Sequence, residues 1–204
     1  MTDTIADTIA DTIADTIADT NADKIADKIA KTIDYAYTLI GTPYVLWKYN
    51  EEYDFYCDRI PSTQEINDNG VNCASFVNLL IQYAGRKIPE NTFKNSLRGG
   101  TDFWFKYFNS KDMLTKFDYT IKYPLGTLFL RNYRNVVDQG HIAMLSEYYE
   151  KDSSKILYSS IIHAYCYKDI RQVGITTLGH SHFSISANTG YYEYAILPIK
   201  WLQI

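Results

Sequence analysis

The sequence predicts an α+β protein in which helices come first and an antiparallel β-sheet or partial barrel follows. Apolar residues recur at helical spacing before Pro124, and short β-prone runs separated by turns fill the chain after it. Aromatic residues occur only from Tyr35 onwards, which separates a low-complexity leader, residues 1–31, from a body, residues 32–204. The body is long enough to form one domain with its own hydrophobic core.

The leader is built from a four-residue repeat, Thr-Ile-Ala-Asp, that starts at Thr4 and decays into related units containing Lys. A period of four advances about 400° around an α-helix, so the Ile stripe drifts about 40° with each repeat. Thr and Asp are also mediocre helix formers. We therefore expect residues 1–31 to be disordered or marginally helical, with self-association or binding of a partner as their alternative role.

The distribution of charge excludes several classes of function. The leader holds seven Asp and three Lys, which account for the whole net charge of −4, so the body is electrically neutral. A neutral body lacks the clustered basic face that nucleic-acid binding needs.

The sequence also shows no pattern of a membrane span, because no apolar run approaches the roughly 20 residues that a span needs. The N-terminus also lacks a signal-peptide pattern, so we expect a cytoplasmic protein, with release by a non-signal route as the alternative.

Three helical regions and one long loop are expected before the sheet. Apolar spacings of three and four residues define the helices, and Gly or Pro residues end them. Turn-forming residues dominate positions 48–71, which are therefore predicted to be a surface loop. The predicted helical regions are residues 23–40, ending at Gly41; residues 73–84, with Asn72 as the N-cap; and residues between Pro89 and Phe108, interrupted at Gly99-Gly100.

The remaining segments predict strands that turn residues or charged stretches separate, as in an antiparallel meander. Their apolar and β-branched residues favour extended structure over helix. The predicted strands are Thr127–Leu130, His141–Leu145, Ile156–Ala164, Val173–Leu178 and Tyr191–Ile196.

The candidate chemistry begins with a cysteine in the first turn of a predicted helix. Cys57, Cys73 and Cys166 are an odd number at wide spacing, which fits neither a disulfide framework nor a zinc site, so we expect reduced thiols. Backbone N–H groups at a helix N-terminus favour an anion and predict a lowered pKa for the Cys73 thiol. His141 opens a strand and could act as its base, and His163 could orient the imidazole.

Five segments, in this order along the chain, resemble the NlpC-type cysteine peptidases of the papain-like superfamily. The resemblance covers about residues 32–165 and includes the sequence around the candidate cysteine. The segments are Gly41-Thr42-Pro43-Tyr44, Asn72-Cys73-Ala74-Ser75-Phe76-Val77, Tyr123-Pro124-Leu125-Gly126-Thr127-Leu128-Phe129, Gly140-His141-Ile142-Ala143-Met144 and Ile162-His163-Ala164.

The resemblance implies a papain-like fold, with the nucleophile at a helix N-terminus, and a set of catalytic roles. It implies Cys73 as nucleophile, His141 as base and His163 as the orienting residue. The oxyanion hole would be the backbone N–H of Cys73 with help from Tyr44. The implied reaction is hydrolysis of an amide bond in a peptide or a peptidoglycan-like stem peptide, without a metal or other cofactor.

The sequence departs from the family pattern in three places. Trp47 comes one residue late, and Lys48-Tyr49 replace the usual glycines, which predicts a remodelled substrate groove. Thr127 replaces the usual acidic residue, and the charged insert 150–155 lengthens the connection between the two histidine strands.

Two other functions and one metal site are alternatives. The same fold could serve as a lipid or thioester acyl hydrolase or acyltransferase, but those relatives are circularly permuted, whereas here Cys73 precedes His141. A non-catalytic peptide-binding module is the other alternative. His180 and His182 could bind zinc, but no acidic or Cys partner is adjacent, so a surface loop is the preferred interpretation.

Overall fold

A computed structural model of the chain describes residues 3–45, 55–135, 139–167, 169–180 and 192–204. These residues form helices and one six-stranded antiparallel sheet, which confirms the predicted α+β class. The helices are α1 Asp3–Thr38, α2 Thr63–Asn69, α3 Cys73–Tyr83, α4 Thr101–Ser110 and α5 Pro198–Trp201. The strands are β1 Thr115–Lys116, β2 Leu128–Arg131, β3 His141–Glu147, β4 Ser160–Tyr167, β5 Ile170–Thr177 and β6 Tyr194–Ile196. No helix within the described ranges combines the length and apolar character needed to cross a bilayer.

Helix α1 continues without a break through the repeat and into the body of the protein. Its C-terminal part packs on the core through Ile29, Ile33 and Ala36, and Lys31 forms an ion pair with Asp27 at 2.7 Å. Ile29 belongs to the segment that we assigned to the leader. The division at residue 31 therefore falls inside α1, within the part of the helix that packs on the core. Burial of this short apolar stripe, rather than the weak helix propensity of Thr and Asp, anchors α1.

Helix α3 is the central helix of the fold. Every residue from Cys73 to Ile81 is buried. Asn72 caps its N-terminus, because its side-chain oxygen accepts the backbone N–H groups of Ala74 at 3.0 Å and Ser75 at 2.8 Å. The Ser75 hydroxyl in turn accepts the Asn72 N–H at 2.9 Å, which completes a reciprocal cap. The start of the helix is therefore held at a defined point.

A buried asparagine joins α3 to its neighbours. The Asn78 amide donates to the carbonyl oxygens of Phe55 at 2.7 Å and Gly99 at 3.1 Å, and its oxygen accepts the indole N–H of Trp104 at 2.8 Å. These bonds tie α4 and the segment at Phe55 to the middle of α3. Because each polar atom of the amide has a partner, the group can lie in the core at little cost.

Two predictions for the segments around α3 are wrong in part. Residues 48–71 were expected to be a loop, but Thr63–Asn69 form α2, which Ser62 and Glu65 start with a capping box. Ile66 of α2 is buried in the core, which stabilises so short a helix. Residues Pro89 to Arg98 are not helical, and α4 starts only after the Gly99-Gly100 pair. Trp47 and Lys48-Tyr49 lie outside the described residues.

The sheet order is β1-β6-β2-β3-β4-β5, and all pairs are antiparallel. Strands β2 to β5 form the predicted meander, whereas β6 returns across the sheet and lies between β1 and β2. The predicted strand from Ile156 begins later, because Ile156–Tyr158 form a 3-10 turn. One face of the sheet packs on α1, α3 and α4, and its opposite face forms a second apolar cluster.

Candidate active site

The candidate nucleophile, Cys73, lies at the N-terminus of helix α3, near the start of strand β3. Cys73 is the first residue of α3, and only 8% of its surface is exposed. Backbone N–H groups, among them those of Ala74 and of Ile142 in β3, lie near the sulfur and act to lower its pKa. The sulfur therefore lies next to the residue that follows His141 in the chain.

Burial determines the protonation of this thiol. Desolvation raises the pKa of Cys73 from 9.0 to about 11, although the surrounding N–H groups and the positive charge of Arg131 act in the opposite direction. The prediction of a lowered pKa from the helix N-terminus is wrong, because the loss of water around the sulfur outweighs the backbone dipoles. The thiol is therefore neutral near pH 7 when no substrate is bound.

The start of strand β3 pairs with strand β2. The register of β3 with β2 includes His141 and Ile142, paired with Arg131 and Leu130. The register of β3 with β4, in contrast, begins only at Met144. Ile142 packs in the core on the side of α3, so the alternation of side chains along β3 places His141 on the opposite face of the strand.

The two predicted histidines lie in direct contact. His141 Nε2 and His163 Nδ1 are 2.7 Å apart, and the rings meet edge to face at an interplanar angle of 79°. Both rings are buried. Tyr165 stacks on the His163 ring, with 4.7 Å between centroids, and so restricts its rotation. The arrangement holds the His141 ring in one orientation through its Nε2 atom.

A further hydrogen bond extends this pair to strand β5. His163 Nε2 lies 3.0 Å from the Thr176 hydroxyl oxygen. Thr176 is directly opposite Ile161 in the β4–β5 register, so it reaches His163 as a diagonal neighbour on the same face of the sheet. The three side chains thus form a hydrogen-bonded chain across β3, β4 and β5.

Tyr44 also lies near the candidate nucleophile. Residues 41–44 extend along β5, because the N–H of Gly41 bonds to the Val173 carbonyl and that of Tyr44 to the Arg171 carbonyl, both at 3.0 Å. A backbone bridge joins Tyr44 to Val71, two residues before Cys73. Burial, followed by the electrostatic influence of Cys73 and Cys166, raises the pKa of Tyr44 far above its ordinary value. Its hydroxyl therefore remains a hydrogen-bond donor.

Sequence reasoning missed two residues of this site. Arg131 is only 6% exposed, faces His141 in the strand register and places a positive charge near the Cys73 thiol. A charged residue that ends the apolar run Leu128–Leu130 was the available signal. Thr176 carried no such signal, because only the pairing of β4 with β5 brings it to His163.

The other candidates have structural roles or stand apart from the site. The Thr127 hydroxyl donates to the Pro124 carbonyl at 2.6 Å, so this side chain stabilises the turn before β2. The Cys57 thiol bonds to the Arg98 carbonyl, and Cys166 is exposed near the end of β4. Among the described residues, no group of three or more His, Cys, Asp or Glu could hold a metal. His182 lies outside the described residues.

Comparisons of the chain with protein-family models, with curated protein sequences and with solved structures give no match. The functional argument therefore depends on the geometry of the site.

Proposed function

We propose that this protein is a cysteine-dependent hydrolase with a papain-like fold of the NlpC type, which cleaves an amide bond in a peptide or peptidoglycan-like substrate. The observation that carries the proposal is the hydrogen-bonded pair of buried histidines, together with a Cys73 sulfur that lies near the backbone N–H of Ile142, the residue after His141. A nucleophile, a base and a residue that orients the base are the three parts that thiol hydrolases need. Cys73, His141 and His163 supply these parts in the order that the resemblance implies.

The proposed mechanism gives different roles to the two nitrogens of the His141 ring. Nε2 is engaged by His163, so Nδ1 is the atom that removes the thiol proton. The sulfur then attacks the substrate carbonyl carbon, and the carbonyl oxygen becomes an oxyanion that the Cys73 N–H and the Tyr44 hydroxyl stabilise. As the carbon–nitrogen bond breaks, the imidazolium returns its proton to the leaving amine. Water hydrolyses the resulting thioester and regenerates the thiol.

The raised pKa of Cys73 determines when the nucleophile forms. With a pKa of about 11, the thiol stays protonated in the resting enzyme. Proton transfer to His141 therefore accompanies attack on bound substrate, rather than preceding it in a stable thiolate–imidazolium pair. The positive charge of Arg131 stabilises the sulfur anion as it develops.

Labelling with a substrate-like acyloxymethyl ketone tests the assignment of the nucleophile. We expect Cys73 to be labelled in the wild-type protein, and neither Cys73→Ala nor His141→Gln to be labelled at that position. Cys166→Ala is the matched control, because it removes an exposed thiol outside the proposed site. Labelling that is unchanged in Cys73→Ala contradicts the proposal.

The burial of Cys73 favours one alternative, a non-catalytic module that binds peptides without cleaving them. Incubation of the protein with a peptide and muropeptide library, followed by mass spectrometry, separates the two functions. Cleavage that is lost in Cys73→Ala supports the hydrolase. Saturable binding of a peptide without cleavage and without Cys73 labelling supports the binding module. A thioester substrate in the same assay tests acyl transfer.

A further inference from the structure

We propose that Thr101 is a positioning residue that couples strand β3 to helix α3 and so sets the position of His141, an inference that rests on the proposed hydrolase function. Thr101 is the first residue of α4 and is only 7% exposed. Its hydroxyl donates to the Gln139 carbonyl oxygen at 2.6 Å. Gln139 lies two residues before His141, so Thr101 acts on the base through the backbone.

The nucleophile and the base of the proposed site belong to different elements of the fold. Cys73 is the first residue of α3, and His141 is the first residue of β3. Proton transfer during the reaction needs the sulfur and the imidazole within hydrogen-bond reach of each other. That distance depends on how the start of β3 is held relative to α3. The Thr101 hydroxyl bonds to the chain just before this start.

The N-terminal turn of α4 is itself fixed to the nucleophile helix. The Asn78 amide, on α3, donates to the Gly99 carbonyl at 3.1 Å, two residues before Thr101. The Asn78 oxygen also accepts the indole N–H of Trp104 at 2.8 Å, three residues after Thr101. Thr101 therefore lies between two points at which α4 and its N-terminal connection are bonded to α3. Its own bond extends this connection to the segment that carries the base.

A glycine lets the segment before His141 lie close to strand β2. Gly140 has a φ of +73°, which L side chains rarely adopt, and a Cβ atom there would lie 2.5 Å from the Arg131 carbonyl oxygen. His141 is also paired with Arg131 in the β2–β3 register. The Thr101 bond acts together with this pairing. Its loss should therefore displace the base without unfolding the strand.

Substitutions of Thr101 in the full-length chain test the coupling, with the acyloxymethyl ketone as the probe of Cys73. Thr101→Val keeps the branched shape and removes the donor, whereas Thr101→Ser keeps the donor. At pH 7.5 we expect Thr101→Val to lower the maximal labelling rate about ten- to hundredfold and to leave the half-saturating probe concentration unchanged, because a displaced base impairs proton transfer rather than binding. Thr101→Ser should label at the wild-type rate. An unchanged maximal rate in Thr101→Val overturns the proposal.

The pH dependence of labelling distinguishes a displaced base from a general loss of structure. As the pH rises from 7.5 to 10.5, a growing fraction of Cys73 ionises without help from His141. The difference in rate between wild type and Thr101→Val should therefore narrow over this range, and a constant difference overturns the proposal. Ser110→Ala is the matched control, because it removes a hydroxyl that donates to the Tyr107 carbonyl at 2.8 Å, at the exposed C-terminal end of the same helix.

Hydrogen exchange measured by mass spectrometry separates this inference from the proposed function, because it needs no activity. Thr101→Val should speed exchange of the backbone amides of residues 139–142 about three- to tenfold, as expected for the loss of one buried hydrogen bond, and leave α3 unchanged. This result in a chain whose Cys73 is never labelled contradicts the hydrolase but supports the coupling. Unchanged exchange, or equal acceleration in α3, overturns the coupling but not the hydrolase. If Thr101→Val does not fold, Thr101→Ala provides the same loss of the donor.

Discussion

The buried thiol of Cys73 should make the stability of the protein depend on pH above 9. Burial raises the pKa of Cys73 from 9.0 to about 11, whereas the same thiol in the unfolded chain ionises near 9.0. Between these values the unfolded chain releases a proton that the folded chain retains. The free energy of unfolding therefore falls as the pH rises through this window. The stabilising contribution is complete below pH 9.

The size of the effect follows from the shift. Each unit of pKa corresponds to about 1.36 kcal/mol, so the full loss is about 3 kcal/mol. At pH 10.5 the two titration curves give a loss of about 2 kcal/mol relative to pH 7.5. Serine at this position has no ionisation in that range. The difference in unfolding free energy between wild type and Cys73→Ser should change by this amount.

Urea unfolding at pH 7.5 and pH 10.5, under reducing conditions, measures that difference. Several tyrosines also have a pKa raised by burial, Tyr35 and Tyr123 among them, but both proteins contain them, so their effect cancels. Cys166→Ser controls for the loss of a thiol as such. A difference between wild type and Cys73→Ser that is constant from pH 7.5 to pH 10.5 would show that the thiol is not desolvated. Alkylation of Cys73 by iodoacetamide that titrates below pH 9 would refute the same reasoning.

Three substitutions test the packing that supports the site, each by urea unfolding at pH 7.5. Asn72→Ala removes the side-chain cap of α3 and should lower the free energy of unfolding by about 1 kcal/mol; no change would contradict the cap. Asn78→Ala leaves the Trp104 indole N–H without its acceptor and opens a cavity, so we expect a loss of about 2–4 kcal/mol. Ile29→Ala should cost about 2–4 kcal/mol, against less than about 0.5 kcal/mol for the exposed control Ile40→Ala, and equal losses would show that α1 is not packed as described.

Local patterns in the sequence predicted much of the fold. The apolar period of α3, with Asn72 before it, defined the helix, and the β-prone runs identified β2 to β5 to within a few residues. The capping box at Ser62 and Glu65 was also readable and identifies α2, although turn-forming residues around it concealed the helix. Predictions failed where neighbours are distant in the chain, as in the return of β6 to pair with β2.

The residues of the candidate site also fall into two groups, those that local sequence features predicted and those that only the tertiary structure revealed. Residue types and their order pointed to Cys73, His141 and His163, because a cysteine at the start of a helix and histidines on following strands are local features. Arg131 and Thr176 emerged only from the strand registers. The direction of the Cys73 pKa shift was opposite to the local expectation, because desolvation depends on every segment packed around the sulfur.

The sequence by itself determined the α+β class, where α3 begins, the approximate positions of β2 to β5 and which side chains could carry thiol chemistry. These properties depend on backbone propensities, caps and apolar periods within a few residues. The tertiary structure decided that two histidines and a threonine form one hydrogen-bonded chain, and that the thiol is buried and neutral. Strand register and the exclusion of water are collective results of packing between distant segments, so no local pattern determines them.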